Sequence, residues 1–437
     1  MPAQDSEVEA YNQGFENSMG ASPAMADWQV VEGGVTAPKG FRAAGIAAGL
    51  KPSGAPDLAL IVSDTDAIAA GVFTTSQVRA ACVDYCRQRL EAKATAQAII
   101  VNAGQANACT GRQGWQDAIT SCEQVANALS IPTESVLVAS TGVIGQRIKM
   151  DALIAGIPQV VAALSATGSD EAAKAIVTTD LITKSIALEM ELDGRPVRIG
   201  GIAKGSGMIH PNMATLLAFV TCDATVSPAL WESMLRRAIA HSFNQITVDG
   251  DTSTNDCVLA LANGESRTPA ITAPGPAADC LEAMLTEVCD YLAKAIARDG
   301  EGATCLLEVV VTGAPDDTAA RSVAKEIAGS SLLKCAIFGA DPNWGRIAMA
   351  AGKAGVSFDQ GDLRIQLGDF LLMEHGQPQS FDRAAASEYL KQAASGEYLK
   401  TDTVAIQVSI GPNSGTGIAW GCDFSYDYVK INAEYTT

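Results

Sequence analysis

Lys204-Gly-Ser-Gly-Met-Ile-His-Pro-Asn-Met-Ala-Thr215 runs at once into the apolar segment Leu216–Val220. Small, glycine-flanked residues let backbone turn tightly and let other groups approach it. The apolar run has the length and composition of a buried strand. The stretch therefore reads as a loop that feeds an inner strand of a layered protein. It also has a chemical reading. Were the Ala214–Thr215 peptide bond cut, Thr215 would carry a free α-amino group beside its own hydroxyl, a nucleophile and a base in one residue. The residues alone leave a plain glycine-rich turn as the other reading.

Working outward, Lys184–Leu192 and Pro196–Ile202 flank Asp193-Gly194, which predicts a hairpin. Ser227-Pro228 predicts the start of a helix that runs to about Ser242. Further strands are expected over Asp57–Ser63, Ala98–Asn102, Ser135–Ala139, Leu306–Thr312 and Val404–Ile410. Helices are expected over Trp115–Leu129 and, with a long amphipathic pattern, over Ala277–Arg298. Both hairpins and helices join the strands, so the fold class is α/β with mixed sheets and not a doubly wound parallel sheet. The first 26 or so residues read as an acidic extension. A composition shift at Gly313-Ala-Pro-Asp-Asp317 marks a boundary, giving an extension over 1–26, a main domain over 27–315 and a C-terminal domain over 316–437.

Composition narrows the function classes. The 437 residues are 48% apolar and 5% aromatic, with a formal net charge of −19. Such a chain can bury a large core, and its acidity argues against a nucleic-acid partner. The eleven cysteines form no CxxC pair and the three histidines lie far apart, which argues against a zinc site. An odd number of scattered thiols points to a reducing compartment. No basic residue precedes Lys39, so neither a secretion signal nor an arginine-rich transit peptide is expected. No run reaches the roughly 18 apolar residues of a membrane span. A cytoplasmic protein without a membrane partner is the expectation.

Several other segments carry chemistry in one reading and mere structure in another. Asn102-Ala-Gly-Gln-Ala-Asn-Ala-Cys-Thr-Gly111 is a loop of small residues, suited either to a tight connection or to close approach of a ligand. Ser140-Thr141-Gly142 follows a buried strand; a threonine hydroxyl beside a glycine N–H suits an oxyanion, and also suits a turn. Thr178-Thr179-Asp180 ends a helical stretch. Lys204 is either solvated or a point charge for a carboxylate; a phosphate loop is disfavoured because GxxxxGK[ST] is absent. Asp249-Gly-Asp-Thr-Ser-Thr-Asn-Asp256 lacks the spacing and terminal glutamate of a calcium loop. Glu301, between Gly300 and Gly302, reads as a carboxylate for an amino group or as part of a helix C-cap. Asp341-Pro-Asn-Trp-Gly-Arg346 predicts a helix start. The aromatic C-terminus, Ala419 to Thr437, looks docked and not frayed.

Taken in order, these motifs resemble the ornithine acetyltransferase family, the glutamate N-acetyltransferases of arginine biosynthesis. The likeness runs from Val35, in Val-Thr-Ala-Pro-Lys-Gly-Phe-Arg, to Thr437. It implies a four-layer αββα sandwich of mixed sheets with a smaller C-terminal α/β domain whose tail returns to the active site. It implies self-cleavage between Ala214 and Thr215, Thr215 as nucleophile, and Thr141 with Gly142 as oxyanion hole. Thr178, Lys204, Thr215, Glu301, Asn432 and Thr437 are then the substrate-binding residues. The implied reaction moves an acetyl group from N2-acetylornithine to glutamate by a ping-pong mechanism, with no cofactor or metal. Acetyl-CoA is allowed as a second donor, and an α2β2 assembly of chains cut from one precursor is implied. The alternative is an N-terminal-nucleophile aminopeptidase or amidase of related fold. Two positions depart from the family pattern: Gln245 stands where a basic residue is expected, and Cys257 where threonine is common. Neither touches the nucleophile motif.

Overall fold

The computed structural model describes residues 28–210 and 216–434. Its strands are β1 (Trp28–Val30), β2 (Phe41–Ile46), β3 (Leu58–Phe73), β4 (Thr95–Gln105), β5 (Val136–Val143), β6 (Lys184–Leu192), β7 (Arg195–Lys204), β8 (Leu217–Cys222), β9 (Cys257–Ala262), β10 (Leu306–Ala314), β11 (Arg364–Leu367), β12 (Phe370–Glu374), β13 (Gln377–Pro378), β14 (Thr403–Ser409) and β15 (Gly415–Cys422). The α-helices are α1 (Ala81–Ala92), α2 (Gly111–Leu129), α3 (Met150–Ala162), α4 (Ser169–Ile176), α5 (Pro228–His241), α6 (Pro276–Arg298), α7 (Asp317–Ala328), α8 (Ser331–Phe338), α9 (Trp344–Gly352), α10 (Arg383–Ala394) and α11 (Tyr426–Glu434). The class is mixed α/β, as the sequence predicts.

Contacts group the chain into two compact units. Among the described residues the first holds 28–205, 216–243 and 252–292; the second holds 206–210, 244–251 and 293–434. The division expected at 315/316 therefore moves back into α6. The reason is β10, which lies inside the second unit's sheet, between β14 and β15.

In the first unit β3 organises the sheet. A strand expected to stop at Ser63 runs on to Phe73. Its first half pairs antiparallel with β2 and β4, for example Ile61 with Ala43 and with Ile99. Its second half pairs antiparallel with β9, Ala70 opposite Ala260. The register shifts between Val62 and Ala67, across the exposed Asp64-Thr65-Asp66. Those three polar residues look like a strand end in sequence but are a bulge that bends one strand from one wing into the next. Beyond β9 the order continues β8, β7, β6, β1, with β8–β9 and β4–β5 parallel. Apolar residues of β2–β5 share one core with Ile202, Phe219, Leu259 and Leu261 of the other wing. Helices α1 and α2 cover β5. On the other wing, Trp231 of α5 donates its indole N–H to the Ala260 carbonyl at 3.2 Å. There α6 comes so close that a Cβ on Gly201 would lie 2.8 Å from Leu292.

The predicted hairpin closes at Asp193 and Gly194, both at positive φ (52° and 73°), as a tight two-residue turn needs. The helix predicted from Pro228 forms, but the Ser227 side chain makes no capping bond; proline at the first turn and the buried face of α5 suffice.

The second unit carries a six-stranded sheet in the order β13-β12-β11-β14-β10-β15, with β10 and β14 parallel. α7 lies against it, so close that a Cβ on Gly417 would come 2.3 Å from the Arg321 backbone nitrogen. Asn343 caps α9, its side chain accepting from Arg346 N, which bears out the helix start expected there. α11 buries no side chain and Tyr426 is 84% exposed. The tail is held through its first residues: Asp423 accepts from Thr304 N at 2.7 Å, Ser425 Oγ donates to the Gly302 carbonyl at 2.6 Å, and Phe424 stacks on Tyr428.

Candidate active site

Two groups of predicted residues assemble, one in each unit. In the first unit, Thr141 and Gly142 end β5, opposite Ala103 and Gly104 of β4. Gly142 has φ +125°, and a Cβ there would sit 2.3 Å from the Gly104 carbonyl carbon. Only glycine meets both conditions. Buried amides fix this strand end. Asn255 Nδ2 donates to the carbonyls of Ser140 (2.7 Å) and Ala106 (2.6 Å). Ser140 Oγ donates to Asn102 Oδ1 at 2.6 Å, and Asn102 Nδ2 donates to the Gln105 carbonyl at 2.9 Å. The polar loop Asp249–Asp256 thus has a definite task in its second half, and the small-residue loop after β4 is more than a connection.

Lys204 ends β7 at 9% exposure, and its ammonium donates to Thr141 Oγ1 at 3.4 Å. The solvated-lysine reading fails here. Beside it, Asp180 and Lys184 form an ion pair at 2.7 Å with both side chains fully buried. Asp180 also accepts from the backbone N–H of Gly205 at 2.6 Å and of Thr178 at 3.0 Å. Burial alone would raise the Asp180 carboxyl, but the ammonium groups of Lys184 and then Lys204 outweigh it and hold it below the ordinary carboxylate range. Thr178 is therefore placed by its backbone, next to the start of β6. Asp256, fully buried, has one carboxyl oxygen without a hydrogen-bond partner among the described residues. Burial pushes that carboxyl well up, against a hydrogen bond from Ser253 and the charge of Lys204.

In the second unit, Glu301 follows the end of α6 at 8% exposure. Its backbone N–H donates to the Ser206 carbonyl at 3.0 Å, and its Oε2 accepts from Asn432 Nδ2 at 2.7 Å. A Cβ on Gly207 would lie 2.5 Å from its carboxyl carbon, so the second glycine of Lys204-Gly-Ser-Gly is what makes room for the carboxylate. Asp249 clamps the backbone ahead of the predicted cleavage point, accepting from Met208 N at 2.6 Å and Ile209 N at 2.9 Å. His210 Nδ1 lies 2.9 Å from Thr247 Oγ1. Tyr428 completes the group; burial, then the charges of Asp249 and Glu301, push its phenol up to about 12.

Ala214, Thr215 and Thr437 lie outside the described residues, as do the acidic extension over 1–26 and residues 211–213 of the loop before Thr215. The first described residue after the candidate nucleophile, Leu216, is buried and its carbonyl accepts from Cys257 N at 2.9 Å. Cys257 itself is buried, its thiol pushed up by burial, so it acts as a small apolar residue at the start of β9. All eleven cysteines are free and eight are buried. Among the described residues no group of three or more His, Cys, Asp or Glu is placed to hold a metal ion, and no helix is long and apolar enough to cross a membrane. Sequence reasoning quoted Asp180 and Asn255 within their motifs but gave neither a task. The available signal was a strongly polar residue wedged between apolar runs, which burial obliges to find partners.

Comparison with known proteins places these residues in context. The ArgJ family model matches residues 42–437. The chain is 71% identical over 413 residues, 94% of this chain and 100% of the relative, to the arginine biosynthesis bifunctional protein ArgJ of a Synechocystis strain. It is 73% identical, with the same shares covered, to the arginine biosynthesis bifunctional protein ArgJ 1 of a Nostoc strain. Among solved structures it is similar to the ornithine acetyltransferase of Mycobacterium tuberculosis complexed with ornithine, at 46% identity and a TM-score of 0.41, covering 43% of this chain and 100% of that one.

Proposed function

The chain belongs to the ArgJ family, and from this we propose how its residues carry an acetyl group from N2-acetylornithine to glutamate. It is an enzyme of arginine biosynthesis, a glutamate N-acetyltransferase. The hydrolytic alternative is set aside, because likeness to bifunctional arginine-biosynthesis proteins extends over 94% of the chain at 71% identity.

Two stages use one hydroxyl. In the precursor, Thr215 Oγ attacks the Ala214 carbonyl. An N→O acyl shift and hydrolysis of the resulting ester leave chains 1–214 and 215–437. The freed α-amino group of Thr215, with a reference pKa of about 7.7–8.0, is partly neutral near pH 7 and takes the hydroxyl proton in the second stage. Thr215 then attacks the acetyl carbonyl of N-acetylornithine. Thr141 and Gly142 stabilise the oxyanion, ornithine leaves, and glutamate accepts the acetyl group from the acetyl-threonine. Lys204 takes a substrate carboxylate as a point charge and Glu301 an amino group, with Thr178, Asn432 and Thr437 as further substrate contacts. Bound glutamate competes with water by proximity. No cofactor enters this scheme; acetyl-CoA is a second donor. The assembly is α2β2 and the compartment the cytoplasm.

The observation that carries the reading is the meeting of Lys204 with Thr141 at the glycine-restricted end of β5. The test is to follow N-acetylglutamate and free acetate by mass spectrometry, with N-acetylornithine as donor and glutamate present or absent. Acetate release that glutamate leaves unchanged would identify a hydrolase. Intact-mass measurement of the purified protein tests processing, and acetyl-CoA in place of N-acetylornithine tests the second donor.

A further inference from the structure

Asp180 touches both Thr178 and the exit of β7, accepting from Thr178 N and from Gly205 N. We infer that the Asp180–Lys184 ion pair is a positioning device: it fixes the backbone at Thr178 and Gly205, and Lys184 satisfies the Asp180 carboxylate so that the Lys204 ammonium stays available for a substrate carboxylate. The inference rests on the proposed reaction for its kinetic readout and on the structure alone for its geometric one.

The placement follows from strand register. Lys184 opens β6 and lies opposite Ala203 of β7, so Lys204 is the next residue along the neighbouring strand. The charges of Lys184 and, second to it, Lys204 both act on the Asp180 carboxylate. Lys184 is the one in contact with it, at 2.7 Å, and it also reaches the Ile182 carbonyl at 3.4 Å. Lys204 points to Thr141 Oγ1 instead. A third lysine, Lys51, stands near: its ammonium donates to the Val177 carbonyl at 2.8 Å and to the Pro56 carbonyl at 2.6 Å. Asp180 spends both oxygens, Oδ1 on Lys184 and Gly205 N, Oδ2 on Thr178 N.

A buried charge holds whatever counter-charge it can reach, since leaving it unpaired is far more costly than pairing it. With Lys184 in place, the carboxylate is satisfied and Lys204 keeps its position. Without Lys184, the next ammonium on the adjoining strand is Lys204, and its attraction to Asp180 competes with any carboxylate ligand. Gly205 makes the tether effective: its φ of +157° lets the chain leave β7 with its N–H turned to Asp180, directly after Lys204.

The test compares Lys184→Met, Asp180→Asn/Lys184→Met and the conservative Lys184→Arg with wild type, in the purified protein. Steady-state acetyl transfer from N-acetylornithine to glutamate is one readout, and hydrogen exchange of peptides holding Thr178 and Gly205 is the other. Lys184→Met should raise KM for N-acetylornithine about tenfold with kcat less affected. The double variant, which removes the competing carboxylate, should return KM to within about threefold of wild type, and Lys184→Arg should stay near wild type. Exchange at Thr178 and Gly205 should speed up in the double variant, because asparagine offers one acceptor oxygen where aspartate offers two. A KM unchanged in Lys184→Met, or a double variant no better than the single one, would overturn the inference. If Lys184→Met does not fold, the exchange arm of the double variant decides: unchanged exchange at both amides overturns it. Absence of acetyl transfer in wild type would instead refute the proposed reaction, and the exchange arm would still judge the tether.

Discussion

The two groups of site residues are built by opposite means. In the first unit the functional atoms sit at strand ends: Thr141 and Gly142 close β5 and Lys204 closes β7, and their supports are buried side chains with paired charges. In the second unit Glu301 follows a helix and is held by one amide from α11, a helix that buries no side chain of its own. The first group is cationic and locked by an ion pair at zero exposure; the second is anionic and held by a few hydrogen bonds. Strand ends inside a packed sheet place atoms rigidly, which suits groups that act on a transition state. A tethered helix suits groups that only need to bind. Substitutions at Thr141 and Gly142 should therefore change turnover, and those at Glu301 and Asn432 should change apparent affinity.

The largest effect is expected for the residue both stages depend on. Thr215→Ala should abolish processing and transfer together, since one hydroxyl serves both; two separate chains on a denaturing gel of this variant would sink the assignment. Next comes Thr141→Ala, which removes one oxyanion donor. It should lower kcat by roughly 100-fold, the usual scale for such a loss, in a protein that still folds and is processed. Wild-type turnover would reduce Thr141 to a turn residue and would break the contrast between the units.

Asn432→Ala probes the other side of that contrast. It takes away the amide that holds Glu301 Oε2 at 2.7 Å without opening a core. KM for N-acetylornithine should rise about fivefold to tenfold, kcat should hold within about twofold, and the melting temperature should scarcely move. Deleting Tyr435 to Thr437 should act in the same direction. A fall in kcat with KM unchanged would show that the second unit does more than bind.

Much of the fold was legible because its signals are local. Asp193-Gly194 could hardly be anything but a hairpin turn, and Pro228 and Asn343 announce their helices by known end chemistry. The misreading of β3 is instructive. Asp64-Thr65-Asp66 carries the polarity of a strand end, and only pairing with β2, β4 and β9, which are distant in sequence, reveals a bulge in a longer strand. The site was legible as a set of motifs, largely through family resemblance. Its supports were less so: the bonds from Asn255 to Ser140 and from Asp180 to Gly205 join residues 115 and 25 positions apart, which no local pattern encodes. The tail was expected to be docked because it is aromatic; Trp420 is buried and Phe424 stacks on Tyr428, while Tyr426 faces solvent and Ser425 and Asn432 add polar ties that composition does not announce.

The smallest effect is expected from pH, in the segment just before the predicted cleavage point. Burial, then the charge of Lys325, lowers the His210 pKa from 6.5 to about 4, against the opposing charges of Glu326 and Asp251. Such a histidine binds fewer protons folded than unfolded between those two values. Stability is therefore full above about pH 6.5 and is lost as pH falls towards 4. The imidazole is only partly shielded from solvent, which keeps the effect small. Glutamine is uncharged throughout and can keep a hydrogen bond to Thr247 Oγ1, so His210→Gln removes this proton uptake with little change in packing. Between pH 6.5 and 4 the melting temperature of wild type should fall more steeply than that of His210→Gln, by about 3 °C or less in total. Parallel curves would mean that His210 titrates alike in both states, and that the contact with Thr247 is too loose to shield the segment it belongs to.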